Sequence, residues 1–350
     1  NNTDRKMFKG ELMSILFESI KVGNFTLPNR IAMPPMCVYK ARDYSGLPRC
    51  FHRLHYPARS LGGVGFIIVE ATAVSPEGCI SKNDLGLWSD NQVEAHAKLN
   101  YEIKKYTCQT TAIQLGHAGA KGTCDNILSP SGICFSPEYQ HPKALNTQEI
   151  YEIVTKFKDA AIRAKAANYD IVEIHAAHGY LISEFLSPLT NKRDDEFGGS
   201  IDNRMRLLSL IAQEILPIIP FGVRISADDW EVGGNTIEDS KIIAKKCAEL
   251  GACYISVSAG GVVTKPSLVP ELKPMYQANY AKAIKEVVNI PVIGVGLITT
   301  KEQGEQMIEG GYCDIVAYGR ELLRNPNFAL YAAASEGKNE LIDFSYQRAF

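Results

Sequence analysis

The sequence predicts an α/β fold: a (β/α)8 TIM barrel with an N-terminal β-hairpin cap and extended loops after strands three and four. Three observations predict it. Eight short runs, apolar almost throughout, alternate with amphipathic helical stretches from end to end. Strands without a polar face belong in a parallel sheet covered on both sides, and eight such units suit closure into a barrel. No Gly-x-Gly-x-x-Gly turn occurs, which removes the usual dinucleotide-binding element of the rival architecture, a doubly wound open sheet. Two long excursions, 116–146 and 179–202, leave the ends of strands three and four, where barrels carry their functional loops.

The elements follow in order. Ser19 to Leu27 reads as a hairpin around Gly23-Asn24 and is expected to plug the bottom of the barrel. Barrel strands are expected to begin near Arg30, Val64, Thr110, Asp170, Phe221, Cys253, Pro291 and Asp314. Helices are expected over 49–61, 90–105, 147–167, 203–215, 237–250, 276–287 and 300–309, with a last one over 327–335. The alanine-rich stretch 157–167 shows the helical period clearly. There is no repeat of fixed period and no low-complexity tract. The chain reads as a single barrel domain over 1–350, with 1–15 a flexible extension and 337–350 a C-terminal tail.

Composition narrows the function. The 350 residues are 45% hydrophobic and 22% charged, ordinary for a globular chain with a large core. A net charge of −2 does not suggest a nucleic-acid surface. No apolar run approaches the roughly 18 residues that span a membrane. Residues 1–20 place Lys6, Lys9 and Glu11 around a short apolar patch and do not read as a secretion signal. The nine cysteines are irregularly spaced and include no Cys-x-x-Cys pair, which fits a reducing cytoplasm better than a zinc or iron–sulfur site.

Polar residues interrupt the strands where a barrel opens. In strand five Arg224 stands between Val223 and Ile225, so alternation turns it inward. A guanidinium there requires either an internal ion pair, with Glu173 or Glu70, or an anionic ligand. In strand three Gln114 is likewise flanked by Ile113 and Leu115; it is a core glutamine or an amide that reads a pyrimidine-like edge. Gly294 and Gly296 after strand seven and Gly319-Arg320 after strand eight occupy the positions where barrels bind phosphate. Strand four hands over to His175-Ala176-Ala177-His178-Gly179-Tyr180. Two imidazoles can hold a carbonyl oxygen and a phenol can give up a proton, a set suited to reducing a carbon–carbon double bond beside a carbonyl. A metal reading of His175 and His178 lacks a third ligand. His117 lines the pocket or fixes its own loop. Cys37, after Pro34-Pro35-Met36, is inert packing or a reactive thiol at the mouth. Tyr39 lies two residues on, on the same side of an extended chain.

Together these motifs resemble the Old Yellow Enzyme family of flavin-dependent ene-reductases, and within it the thermophilic-like subgroup that includes xenobiotic reductase A. The resemblance runs from Leu16 to the carboxyl end. It rests on Pro35-Met36-Cys37-Val38-Tyr39, Ala112 to Gly119, Glu173 to Tyr180, Phe185-Leu186-Ser187-Pro188, Arg193 to Ser200, and Gly319-Arg320-Glu321-Leu322-Leu323. The resemblance implies noncovalent FMN, with NAD(P)H as a transient hydride donor in ping-pong turnover. By that analogy Gln114 meets the pyrimidine edge and Arg224 the N1–C2 region. Pro35, Met36, Cys37 and Ala71 line the ring, and Gly296, Gly319 and Arg320 hold the phosphate. His175 and His178 grip the substrate's carbonyl oxygen, Tyr180 protonates the α-carbon, and Cys37 and Tyr39 tune cofactor and substrate. Lys121 lines the same pocket. Ser345-Tyr346-Gln347-Arg348 resembles a terminal segment whose arginine enters a neighbouring subunit, which would make Arg348 part of a homodimer or homotetramer site. Activated alkenes are the expected substrates and NADPH or NADH the donor. The competing readings are a dienoyl-CoA reductase relative lacking the iron–sulfur segment, and a flavin- or phosphate-binding barrel without catalysis.

Overall fold

In the computed structural model eight parallel strands close on themselves. It describes residues 14–350 and the backbone of a short antiparallel pair, Met7–Phe8 with Glu11–Leu12. The extension expected over 1–15 otherwise lies outside the described residues, except that Ser14 is buried and accepts a hydrogen bond from the Leu16 N–H at the start of a 3-10 turn. The strands are β1 (Ile31–Met33), β2 (Phe66–Ala73), β3 (Thr110–Gly116) and β4 (Ile171–Ala176). β5 (Phe221–Ser226), β6 (Ile255–Ser258), β7 (Val292–Gly294) and β8 (Ile315–Ala317) complete the wall. Each pairs with the next, and β8 returns to β1 through Val316↔Ile31 and Ala317↔Ala32. β1 stops at Met33 rather than running through Met36, because Pro34 and Pro35 have no N–H to continue a ladder.

Alternation sorts the side chains into two layers. Val172, Ile174, Val223, Ile225, Ile255 and Val257 face outward and join the helices in the larger apolar core. Ala32, Phe66, Ile68, Ala112, Ile171, Tyr254, Ile293 and Ile315 fill the interior. The hairpin Ile20–Val22 with Phe25–Leu27 turns at Gly23 and sends Val22 and Leu27 into that inner cluster, sealing the bottom. The lower interior is therefore dry, and polar chemistry is confined to the upper end.

The outer helices are set by amphipathic spacing and local caps. Cys50–Leu61 follows β1, Val93–Ile103 follows β2 and Thr147–Ala166 precedes β4. The last begins with a reciprocal cap: Asn146 accepts from the Glu149 N–H, and Glu149 accepts from the Asn146 N–H at 2.9 Å. The helix expected over 203–215 is split at Met205 into Ile201–Arg204 and Arg206–Ile215. Ile237–Glu249, Ala278–Lys285, Lys301–Glu309 and Phe328–Ser335 take the remaining places. Two short helices, Leu181–Leu186 and Arg320–Arg324, were not expected; one turn is too short to show a period. Among the described residues no helix is long and apolar enough to cross a membrane.

Candidate active site

The top of the barrel interior carries a polar layer on strands β3, β4 and β5. Glu173 on β4 is fully buried and accepts from the Gln114 amide at 2.7 Å and the Tyr254 hydroxyl at 2.9 Å. Tyr254 reaches it because its neighbour across the ladder is Gly222, where a Cβ would fall 2.3 Å from the Tyr254 ring. Burial pushes the Glu173 carboxyl up, and Arg224 and the two hydrogen bonds pull it back. The amide of Gln114 is oriented by this bond, which leaves its oxygen free to accept.

Arg224 points inward as its flanking residues require, but the ion pair with Glu173 or Glu70 does not form. Among the described residues no carboxylate lies within 4 Å of the guanidinium, and its buried Nε has no hydrogen-bond partner. Glu70 has turned away to the outer face, where it meets Tyr56 and His52. Arg224 instead lines a cavity of about 360 Å³ with Ser258, Gln277, Gly296, Gly319 and Arg320. A buried cation with no carboxylate in contact, beside a glycine-edged cavity, suits a negatively charged ligand.

At the end of β4 the chain turns sharply. His178 adopts φ +62° and Gly179 φ +72°. A Cβ on Gly179 would come within 2.1 Å of the Gly261 carbonyl oxygen. The close approach of these two loops therefore demands glycine. The turn brings the rings of His175 and His178 to 5.2 Å between centroids, at 87°, and those of His175 and Tyr180 to 4.9 Å. His175 Nδ1 accepts from the Ala177 N–H at 3.3 Å, which places the ring proton on Nε2. His178 N–H donates to Ser226 Oγ at 2.8 Å, and His178 Nε2 lies 2.8 Å from Ser258 Oγ. Burial holds both imidazoles well below their usual pKa, and Arg224 adds to the effect, so both are neutral donors. Burial likewise raises Tyr180, which stays protonated at neutral pH.

Lys121 closes the side of this pocket. Its Nζ donates to the carbonyls of His178 at 2.7 Å and Gly261 at 3.0 Å, and lies 5.1 Å over the Tyr180 ring. Burial lowers it to about 8. His117 fills both roles considered for it: Nδ1 accepts from the Gly119 N–H, and the ring lines a small cavity with Ala71, His175 and Tyr180. Cys37 is half-buried, and burial together with Glu70 raises its thiol. Tyr39 is 46% exposed at φ +55°. Pro35 and Met36 lie between β1 and Cys37, where a Cβ on Gly319 would be 3.6 Å from the Met36 sulfur. Arg348 stands apart, in an exposed turn Gln347–Ala349 of the tail.

Several residues of the site were not expected from sequence. Ser258 and Ser226 escaped although strand alternation places both inward; a serine at a strand end is too common to be singled out. Tyr276 and Gln277 line the cavity from the turn just before the helix Ala278–Lys285, whereas the helix was expected to begin at 276.

The orphaned guanidinium, the glycine-edged cavity it lines and the oriented Gln114 amide two strands away suit an anionic flavin, and they point to the class of flavin-binding barrels. The chain belongs to the NADH:flavin oxidoreductase / NADH oxidase family, which residues 15–339 match, the Old Yellow Enzyme family that its motifs resemble. It is 43% identical over 343 residues to an NADPH dehydrogenase of Clostridium acetobutylicum, covering 96% of this chain and 99% of that protein. It is 42% identical over 340 residues to an NADPH dehydrogenase of Geobacillus sp. strain WCH70, covering 96% and 99%. Among solved structures, morphinone reductase superposes with a TM-score of 0.80 at 24% identity, covering 92% of this chain and 90% of that one. A 2-naphthoyl-CoA reductase complex gives 0.85 at 23% identity, with this chain spanning 94% of itself and 53% of that larger chain. These last two share the fold. The protein is a flavin-dependent NAD(P)H oxidoreductase with FMN as its cofactor.

Proposed function

We propose that the chain is an ene-reductase, acting on alkenes activated by a carbonyl or nitro group with NADPH as donor. The observation that carries this reading is the convergence of two neutral imidazoles and a protonated phenol on one strand end, beside the cavity lined by Arg224. FMN, when bound, accepts hydride from NADPH and supplies it to the β-carbon of the alkene. The chain's own residues do the rest. Arg224 would offer its free Nε–H and its charge, and Gln114 its amide oxygen, to the ring edge; Gly296, Gly319 and Arg320 would hold the phosphate; Pro35, Met36, Cys37 and Ala71 would line the ring. His175 and His178 donate to the substrate oxygen and stabilise the negative charge that grows there as the alkene is reduced. Tyr180 donates its hydroxyl proton to the α-carbon; an enolate carbon is basic enough to take it from a phenol. Tyr39 and Lys121 border the same space.

The test follows the two half-reactions. Anaerobic NADPH should bleach the yellow protein, and 2-cyclohexen-1-one should restore the colour. A protein that bleaches and recovers with dioxygen, but never with enones or nitroalkenes, would not be an ene-reductase. The nine unpaired thiols support a reducing, cytoplasmic setting. The exposed tail, with Phe344 83% exposed, supports a homodimer or homotetramer in which Arg348 reaches a neighbouring site. A monomeric mass by light scattering would end that part of the reading.

A further inference from the structure

Strand β2 loses its alternation between Val69 and Thr72. Val69 pairs with Ile113 and Thr72 with Leu115, so Glu70 and Ala71 together stand opposite Gln114. This bulge turns Glu70 outward to the helix Cys50–Leu61 and leaves Ala71 lining the pocket beside Tyr180. Glu70 is fully buried, and among the described residues no Lys or Arg pairs with it. Two hydrogen-bond donors converge on it instead, with His52 close by but not bonded. Tyr56 donates to Oε1 at 2.9 Å and accepts from the Glu70 N–H at 3.0 Å, which locks the side chain. The Val38 N–H donates to Oε2 at 3.0 Å. His52 Nδ1 accepts from the Arg49 N–H, so its proton is on Nε2, 3.5 Å from Oε1. Only a carboxylate accepts at both oxygens; an amide would face one of these donors with its own N–H.

Val38 lies between Cys37 and Tyr39 in a segment with little other means of holding itself. Pro34 and Pro35 cannot donate, and Tyr39 sits at φ +55°. We infer that Glu70 is the positioning residue for Cys37 and Tyr39: its carboxylate pins Val38 so that thiol and phenol are presented to the pocket. Burial is the main reason Cys37 stays a thiol, and the Glu70 charge adds to it. For the substrate this rests on the ene-reductase reading; for Cys37 it does not.

Burial lifts the Glu70 carboxyl to about 7, against the pull of the Val38 and Tyr56 bonds. Facing it are His52 and Tyr56 from the first helix and Cys37 from the loop after β1, with Asp84 after β2 and Tyr169 before β4 further off. His52 is held near 4, Tyr56, Tyr169 and Cys37 are raised, and the Asp84 carboxyl is also raised by burial, so Glu70, at about 7, is a group in direct contact with Val38 that changes charge close to neutrality. Below that point one oxygen must carry a proton where a donor already points, and the hold on Val38 or Tyr56 weakens. Substrate affinity should therefore fall as the pH drops through 7.

The experiment compares the full chain with its Glu70→Gln and Glu70→Asp variants, with FMN bound and after its removal. Alkylation of Cys37 by iodoacetamide, followed by peptide mass spectrometry with exposed Cys50 as internal reference, should be several-fold faster in Glu70→Gln at pH 9. The wild-type KM for 2-cyclohexen-1-one should rise about tenfold from pH 7.5 to 5.5 and stay flat in Glu70→Gln, with flavin reduction by NADPH changing less. If Glu70→Gln does not fold, Glu70→Asp keeps the charge but withdraws it from Val38, and should raise KM at pH 7.5 with Cys37 still slow to react. Unchanged Cys37 alkylation in folded Glu70→Gln, or a wild-type KM independent of pH, overturns the inference. Should no alkene reoxidise the enzyme, the ene-reductase reading falls while the alkylation result still decides the role of Glu70.

Discussion

The two halves of the site are held in different ways. On the cofactor side, Gln114, Glu173 and Arg224 project from adjacent strands, β3, β4 and β5, at positions fixed by the ladder. On the side proposed for the substrate, His178, Tyr180, Lys121 and Tyr39 lie outside the barrel strands, two of them at positive φ, and His178 and Lys121 are tied by a few hydrogen bonds such as His178 N–H to Ser226 and Lys121 to the His178 and Gly261 carbonyls. A barrel wall cannot shift one residue without turning every side chain over, whereas a loop can move by an ångström. On the proposed reading the difference separates electron storage, which needs one fixed field, from substrate choice, which tolerates variation. Mutations on either side test whether the halves are independent.

The largest effect should come from Tyr180→Phe. Removing a positioned general acid typically costs about 10²–10⁴ in rate. Reoxidation of the reduced enzyme by an enone should slow by that order, while stopped-flow bleaching by NADPH stays within about twofold, because no cofactor-side residue has changed. Equal losses in both half-reactions would show that the two sides are coupled. Arg224→Ala is the reciprocal change. It removes the buried cation whose Nε has no protein partner, and should weaken FMN binding or slow bleaching by about 10²–10³. FMN affinity by fluorescence quenching and the bleaching rate give the answer, and a variant that binds and reduces FMN normally removes Arg224 from the cofactor side.

Gly179→Ala probes the loop side for stability rather than chemistry. The new Cβ would stand 2.1 Å from the Gly261 carbonyl oxygen at φ +72°. Strained backbone of this kind costs roughly 1–3 kcal/mol before the clash is counted. The melting temperature should fall, and reoxidation should suffer more than bleaching because His178 and Lys121 share the contact. Unchanged melting would mean that the two loops do not meet as described.

The same division decides what could be read from the sequence. Arg224 between Val223 and Ile225, and Gln114 between Ile113 and Leu115, were legible because period-two alternation fixes direction. The hairpin plug was legible from Gly23-Asn24. Glu70, one of two ion-pair partners considered for Arg224, faces away because a one-residue bulge reverses its face, and no composition rule marks Val69 to Thr72 as the point of reversal. His175, His178 and Tyr180 were legible as a chemical set, but not the turn that assembles them, because His178 takes a backbone conformation unusual for any residue but glycine. Lys121 was placed by resemblance alone; nothing local says that its ammonium bridges the His178 and Gly261 carbonyls, which lie 57 and 140 residues away.

The smallest expected effect separates the halves most finely. Ser258 projects from a strand and lines the cofactor cavity, yet its hydroxyl lies 2.8 Å from His178 Nε2 and 3.3 Å from the Gln277 side-chain oxygen. It donates to Gln277 and so accepts from His178, and the histidine proton that the ene-reductase reading gives to a substrate oxygen is already shared. A ligand must exchange with the serine before His178 can serve it. Ser258→Ala removes that competitor, and a neutral hydrogen bond is worth about 0.5–1.5 kcal/mol. Binding of a phenolate-forming ligand such as 4-hydroxybenzaldehyde, followed by the charge-transfer band of the oxidised enzyme, should tighten about two- to tenfold. FMN affinity should hardly change, since Arg224 and the glycine turns remain. Weaker ligand binding in Ser258→Ala would mean that the serine holds His178 in its working orientation, and that the wall, not the loop, sets the grip on substrate.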